Sequence, residues 1–337
     1  MTDAREAPPI AARPPLIAVD KLVKRYGNVF ALRGVEGVVD GKIIGLLGPN
    51  GSGKSTLLKC LLGIIPFEGS ARVLGLSSAT EGVTIRDRVG YMPEQEAYLS
   101  GLNAVEQCTY AAELSGLPRT EAIQRAHAAL YYAGIEDKRY QPIDGYSTGM
   151  KQAVKLAQAL VHDPEILFLD EPTNGLDPRA REAMLKLIME LPERRNCAIV
   201  LSTHLLADVE RVCDHAMIMH QGVLRFVGTI DELRGVRGED TDVIVEVKSD
   251  AQKLADALSA QAAASVVFSP VALSVSLPLG ETSALVFRVA KAVGVQVRGV
   301  TIKRMTMEDA FLKVIAAANA AAAAASGITP SEGPRAF

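Results

Sequence analysis

One stretch constrains this chain more than any other: Gly48, Pro49, Asn50, Gly51, Ser52, Gly53, Lys54, Ser55 and Thr56, which match G-x-x-x-x-G-K-[ST] at every fixed position. The apolar run Ile43–Leu47 leads into it and is short enough for a buried strand. Residues 57–62 after it read as the start of a helix. Strand, glycine loop and helix N-terminus are what a polyphosphate needs. Gly48, Gly51 and Gly53 let the backbone turn so that successive N–H groups converge on phosphate oxygens, above the positive end of the helix dipole. Lys54 can reach the β- and γ-phosphates, and the Ser55 hydroxyl can ligate Mg²⁺. The stretch predicts a nucleoside triphosphate site.

Around it the pattern alternates. Short β-like runs at 17–23 and 30–39 precede the loop, separated by a turn at 24–27 that carries Tyr26 at its edge. Further strands are expected at 71–74, 89–92, 165–170 and 198–201, with helices at 179–191 and 205–212. Between about 97 and 160 the chain turns helical, over 104–114, 119–133 and 149–160. Strands alternating with helices argue for an α/β fold with a parallel sheet and an inserted helical segment. From about 240 the pattern starts afresh as strand, helix, two strands, helix, strand and a trailing helix ending near 318, which suits a small α+β domain of the split βαβ (ferredoxin-like) kind. Glycine and charge at 234–240 predict a linker, so the expected boundaries are 15–236 and 240–318. Residues 1–14, polar and proline-rich, are expected to be disordered, and 319–337 to be an alanine-rich, fraying tail.

A length of 337 residues allows two domains, and a net charge of −3 offers no electrostatic footprint for nucleic acid. Cys60, Cys108, Cys197 and Cys213 form no C-x-x-C pair, which argues against zinc and against a disulfide framework. No basic, apolar leader opens the sequence, and no segment reaches the ~18 consecutive apolar residues of a membrane span. The expectation is a soluble, cytoplasmic protein.

A phosphate loop serves many ATPases and GTPases, so its companions matter. The strand at 165–170 ends in two adjacent acids. Asp170 is suited to hold Mg²⁺ through its water shell, and Glu171 to act as general base for a water attacking the γ-phosphate. His204 follows the strand at 198–201, at the carboxyl edge where open α/β sheets bind ligands, and can hydrogen-bond a γ-phosphate. Ser147 and Gly149 put a hydroxyl and bare N–H groups at the start of the 149–160 helix, a second anion site.

In order and spacing these pieces resemble the ATP-binding subunit of an ABC transporter over about residues 17–235, and Tyr146, Ser147, Thr148, Gly149 and Met150 are similar to that family's Leu-Ser-Gly-Gly-Gln signature. The resemblance implies a P-loop NTPase core with an antiparallel β subdomain and a helical insert. It also implies ATP and Mg²⁺ as ligands, and two copies paired head-to-tail so that Ser147, Gly149 and Met150 of each cover the ATP held by the other. Tyr26 then stands where the family stacks an aromatic ring on adenine, and Asp177 belongs to the loop near the partner's site. The family's Mg²⁺-touching glutamine falls at Glu94 or at Gln95, and the sequence leaves open which side chain serves. Catalytic roles fall to Glu171, His204 and Lys54, and metal contacts to Ser55, Asp170 and Gln95. The signature form, Glu94 and residues 307–312 resemble the ABC-2 or multidrug exporter type, which implies a separate integral-membrane permease and a place on the inner face of the cell membrane. A soluble relative acting on the ribosome or on DNA is the alternative; the single cassette and the missing basic stripe weigh against it.

Overall fold

The computed structural model describes residues 13–95, 98–235, 241–262, 265–268, 272–277, 283–302 and 306–326. The chain divides into two compact units, Met1–Gly228 and Thr229–Phe337. The division comes earlier than the expected break at 236–240, of which only the flanks lie within the described residues. Thr229 already starts the second unit, because its hydroxyl and Glu232 form a reciprocal cap on the short helix α8 (Ile230–Leu233). The expectations for residues 1–12 and 327–337 lie outside the described residues.

The first unit holds two sheets. One is antiparallel, with β1 (Ile17–Tyr26), β2 (Val29–Val39), β4 (Glu68–Val73) and β5 (Leu76–Ser77) in the order β2-β1-β4-β5. The expected turn at 24–27 is corrected here. Lys24, Arg25 and Tyr26 pair with Leu32, Phe30 and Val29, so the strand runs on through Tyr26. Gly27, at φ +55°, then begins a two-residue connection.

The other sheet has the order β10-β9-β3-β8-β7-β6. It contains β3 (Ile43–Leu47), β6 (Val89–Met92), β7 (Ile166–Asp170), β8 (Ala198–Thr203), β9 (His215–His220) and β10 (Val223–Thr229). From β9 to β6 the pairing is parallel. The sequence reading assigned no strand to β9 or β10. Their signal was the two-residue connection Gln221 and Gly222, both at positive φ, which joins them as a hairpin.

Every residue of β3 and β7 is buried, which accounts for their unbroken apolar runs. Their period of two divides the interior. Ile43, Leu167, Leu169, Ile199 and Leu201 face one core. Ile44, Leu46, Ile166, Phe168 and Val200 face the other. The second core is closed by the antiparallel sheet and by α1 (Lys54–Leu61). The first is closed by the helical insert, α3 (Ala104–Leu114), α4 (Arg119–Tyr132) and α5 (Thr148–Leu160), and by α6 (Pro178–Arg195). Each insert helix starts where local chemistry dictates. Asn103 and Glu106 form a capping box for α3, Pro118 precedes α4, and Ser147 caps α5. The short helices α2 (Gly82–Arg88) and α7 (Leu206–Val212) complete the unit.

The second unit contains β11 (Thr241–Val247), α9 (Ala251–Ala262), β12 (Ser265–Phe268), β13 (Ala272–Leu277), α10 (Ala284–Val293), β14 (Val297–Ile302) and α11 (Met307–Ser326). Its sheet is antiparallel in the order β12-β13-β11-β14, the ferredoxin-like arrangement expected of a split βαβ. Val243, Val245, Leu273 and Val275 meet Leu254, Leu258 and Val286 in its core. The trailing helix outruns the expected end near 318 and continues through Ser326. Alanine, the best helix former, makes up nearly all of that added length, so the run extends the helix where a tail was expected. Among the described residues no helix is long and apolar enough to cross a membrane.

Candidate active site

The parallel register brings three strand ends level. Leu47 lies opposite Thr203, and Asp170 opposite Ser202. The loop after β3, the acids ending β7 and the polar end of β8 therefore share one edge of the sheet.

The glycine loop is shaped by close approach. A Cβ at Gly48 would lie 2.4 Å from the Met219 carbonyl oxygen, and one at Gly53, at φ +106°, 2.7 Å from that of Ala31. Neither position tolerates a side chain. Pro49, Asn50 and Gly51 form the exposed crest of the loop, while Ser55 and Thr56 lie half-buried on the first turn of α1. That turn carries no acidic residue, so its N–H groups keep their full attraction for anions. Lys54 is buried and folds back over the loop, its Nζ donating to the Gly48 carbonyl at 2.8 Å. The Ser52 hydroxyl is buried with no hydrogen-bond partner among the described residues. A cradle without Cβ atoms, an orphan hydroxyl and a buried ammonium suit an anionic ligand.

Opposite the loop stand the two acids. Asp170 is buried and accepts from Ser202 Oγ at 2.8 Å. Glu171 leaves the strand at φ +52°, a left-handed conformation that costs a non-glycine residue about 1–3 kcal/mol. Its carboxylate joins Lys54 and His204. Oε1 lies 3.5 Å from Lys54 Nζ, and Oε2 lies 3.0 Å from His204 Nδ1. Lys54, Glu171 and His204, widely separated in sequence, thus form one cluster, and Asp170 precedes Glu171 in the chain. The Asp170 carboxylate and the Ser55 hydroxyl on the first turn of α1 are oxygen donors of the kind a hard cation takes. Among the described residues no group of three or more His, Cys, Asp or Glu could hold a metal.

Tyr26 ends β1 as an exposed residue, and Lys24 Nζ lies 5.1 Å from its ring centroid. Glu94 and Gln95 are exposed just beyond β6, where Glu94 Oε1 lies 3.5 Å from Asn174 Nδ2. Ser147 accepts from the Met150 N–H at 3.4 Å, and Asp177 caps α6 by accepting from Arg179 and Ala180 at 2.9 Å. A Cβ on Gly149 would lie 3.1 Å from Ala180 Cβ, so the starts of α5 and α6 are neighbours. Among the described residues no hydrogen bond ties Ser147, Gly149, Met150 or Asp177 to the glycine loop, and they form a second group.

Three residues that sequence reasoning passed over belong to the same framework. Ser202 holds Asp170. Asp208 is buried and accepts from Thr173 Oγ1 at 2.8 Å and from Arg181 Nε at 2.8 Å, which binds α7 to the segment after Glu171 and to α6. Lys155 donates from α5 to the Glu94 carbonyl at 2.9 Å. A serine at the end of a buried strand and a lysine amid alanines and leucines were the available signals.

A phosphate loop on a central parallel strand, with an acidic end on the second strand over and a histidine after the strand between, defines a P-loop nucleoside triphosphatase. The ABC transporter family model matches residues 36–174. The uncharacterized ABC transporter ATP-binding protein YxlF of Bacillus subtilis is 37% identical over 221 residues, 65% of this chain and 72% of that protein. The linearmycin resistance ATP-binding protein LnrL, also of Bacillus subtilis, is 32% identical over 69% of this chain and 75% of its own length. A solved structure of the ATP-binding subunit of an ABC transporter aligns with a TM-score of 0.59 at 34% identity, over 66% of this chain and 95% of that one. The chain belongs to the ABC transporter ATP-binding family: it is an ATP-binding, ATP-hydrolysing subunit.

Proposed function

We propose that this chain is the motor subunit of an exporter, closing as a head-to-tail pair on two ATP·Mg²⁺ and driving a separate membrane permease. The observation that carries the reading is the contact of Glu171 with both Lys54 and His204 at the edge of the parallel sheet. That arrangement sets a carboxylate beside the cation expected to bind the γ-phosphate, where it can take a proton from an attacking water.

In this reading the loop N–H groups, Lys54 and the Ser52 hydroxyl bind the phosphates, and Tyr26 stacks on the base. Ser55 and Asp170 would hold Mg²⁺, with Glu94 or Gln95 completing the set, and the ion would supply neutralisation of the phosphate charge. Glu171 orients and deprotonates the water. His204 orients Glu171 and hydrogen-bonds the γ-phosphate. Ser147, Gly149 and Met150, with Asp177, are left for the ATP of the second copy, since one copy needs no second γ-phosphate site. The pair closes on ATP and reopens after hydrolysis, because only a difference in affinity between the two states shifts the equilibrium. Export is supported by the resistance function in the name of the LnrL relative. The chain would then sit on the inner face of the membrane through its permease.

The test is to recover tagged Glu171→Gln protein from detergent-solubilised membranes of its own cells with ATP·Mg²⁺ present. A near-stoichiometric polytopic partner is expected. Recovery of ribosomes, or of the chain alone, would overturn the transport reading and leave the ATPase assignment standing.

A further inference from the structure

Lys155 is 6% exposed on α5, between Val154 and Leu156 of the core. An ammonium there costs free energy that an apolar side chain would avoid. What it reaches gives the reason for a lysine. Its Nζ donates to the Glu94 carbonyl at 2.9 Å. The Glu94 carboxylate lies 3.5 Å from Asn174 Nδ2. The Asn174 carbonyl accepts at 3.4 Å from Nε2 of Gln152, which lies one turn before Lys155 on the same helix. The Asn174 N–H donates to the Glu171 carbonyl at 3.1 Å. These contacts close a ring that joins α5 to the loop at 93–95 and to the loop at 171–174.

We propose that Lys155 is a positioning residue that tethers the 93–95 loop to α5, so that α5, whose first turn carries Gly149 and Met150, sets the placement of Glu94 and Gln95 and, through Asn174, of the loop holding Glu171. The inference deepens the proposed function and rests on its reading that the 93–95 loop borders the metal and the γ-phosphate. A methionine at 155 would fill the same space without donating a hydrogen bond, freeing the loop while leaving the phosphate cradle intact.

Kinetics of the full-length chain test it. In Lys155→Met, kcat is expected to fall about ten- to a hundredfold, the range that misplaced groups cost. The Mg²⁺ concentration for half-maximal turnover should rise, and the Kd for ATP should stay within about twofold, since Lys54, Ser52 and the glycine loop are unchanged. Lys155→Arg, which keeps a donor, should recover most of the lost kcat. A parental kcat in folded Lys155→Met, or a Kd that rises in step with the loss of kcat, overturns the proposal. Asn174→Asp, at an exposed position, tests the ring even if Lys155→Met fails to fold. It sets a like charge against Glu94, so kcat should fall at constant Kd for ATP. Absence of the fall overturns the proposal. If the Glu94→Ala, Gln95→Ala double variant kept parental kcat and Mg²⁺ dependence, the reading of the loop itself would fail, and the tether with it. Impaired loop variants beside a parental Lys155→Met would sink the tether alone.

Discussion

Glu171 sits between Lys54 and His204, so its replacement separates binding from chemistry. Glu171→Gln keeps the size and the hydrogen-bonding capacity of the side chain but removes the proposed base. ATP binding should persist while turnover falls by at least about 10²-fold, the usual contribution of a positioned general base; equilibrium binding and phosphate release measure the two. Lys54→Ala should do the reverse first, weakening the Kd for ATP about 10- to 100-fold through loss of charge-assisted bonds. Asp208→Ala leaves Arg181 and the Thr173 hydroxyl without their acceptor. Arg181 is one-third exposed, so the expected loss is about 2–3 kcal/mol in denaturant unfolding, below the ~3–5 kcal/mol of a fully buried pair.

At the scale of elements, α5 and β6 are in backbone contact. A Cβ on Gly90 would lie 2.1 Å from the Ala159 carbonyl oxygen. Gly90→Ala must therefore push α5 off the sheet, at an expected cost of about 1–3 kcal/mol in denaturant unfolding and with a drop in turnover. Just after α5, burial pushes the His162 imidazole below its ordinary value, against smaller opposing effects of the Val89 backbone and of Asp87 and Asp163. The folded chain then resists the proton that the unfolded chain takes up below pH ~6.5, so stability falls as pH drops through that value. Thermal unfolding at pH 7 and at pH 5.5 should show the decline, and His162→Asn should remove this part of it.

The whole molecule is two compact units, and the first holds the cluster of Lys54, Glu171 and His204. Residues 13–235 expressed alone should bind ATP with a Kd within about threefold of that of the full chain, a test of whether the cassette stands by itself. Full-length Glu171→Gln should double in mass in solution when ATP·Mg²⁺ is added and return to a monomer with ADP. The second unit has a core of valines and leucines under a four-stranded sheet.

What could be read from residues alone was whatever depends on near neighbours. The spacing from Gly48 to Thr56 encodes a turn, a helix start and an anion site within a few residues. The apolar runs of β3 and β7 encode strands buried on both faces, and the order of elements after residue 240 encodes the small α+β unit. What only the tertiary structure decided depends on residues far apart in sequence. Ser202 matters because parallel register sets it opposite Asp170, and Asp208 because α7 packs beside α6. Lys155 matters because α5 lies against β6 and the loop that follows it. The extra length of α11 is a local effect that the reading missed, since a run of alanines carries little periodicity yet strongly favours helix. Local propensity and spacing are written in consecutive residues, whereas a hydrogen bond between side chains dozens of residues apart exists only once the sheet has fixed which strand ends meet.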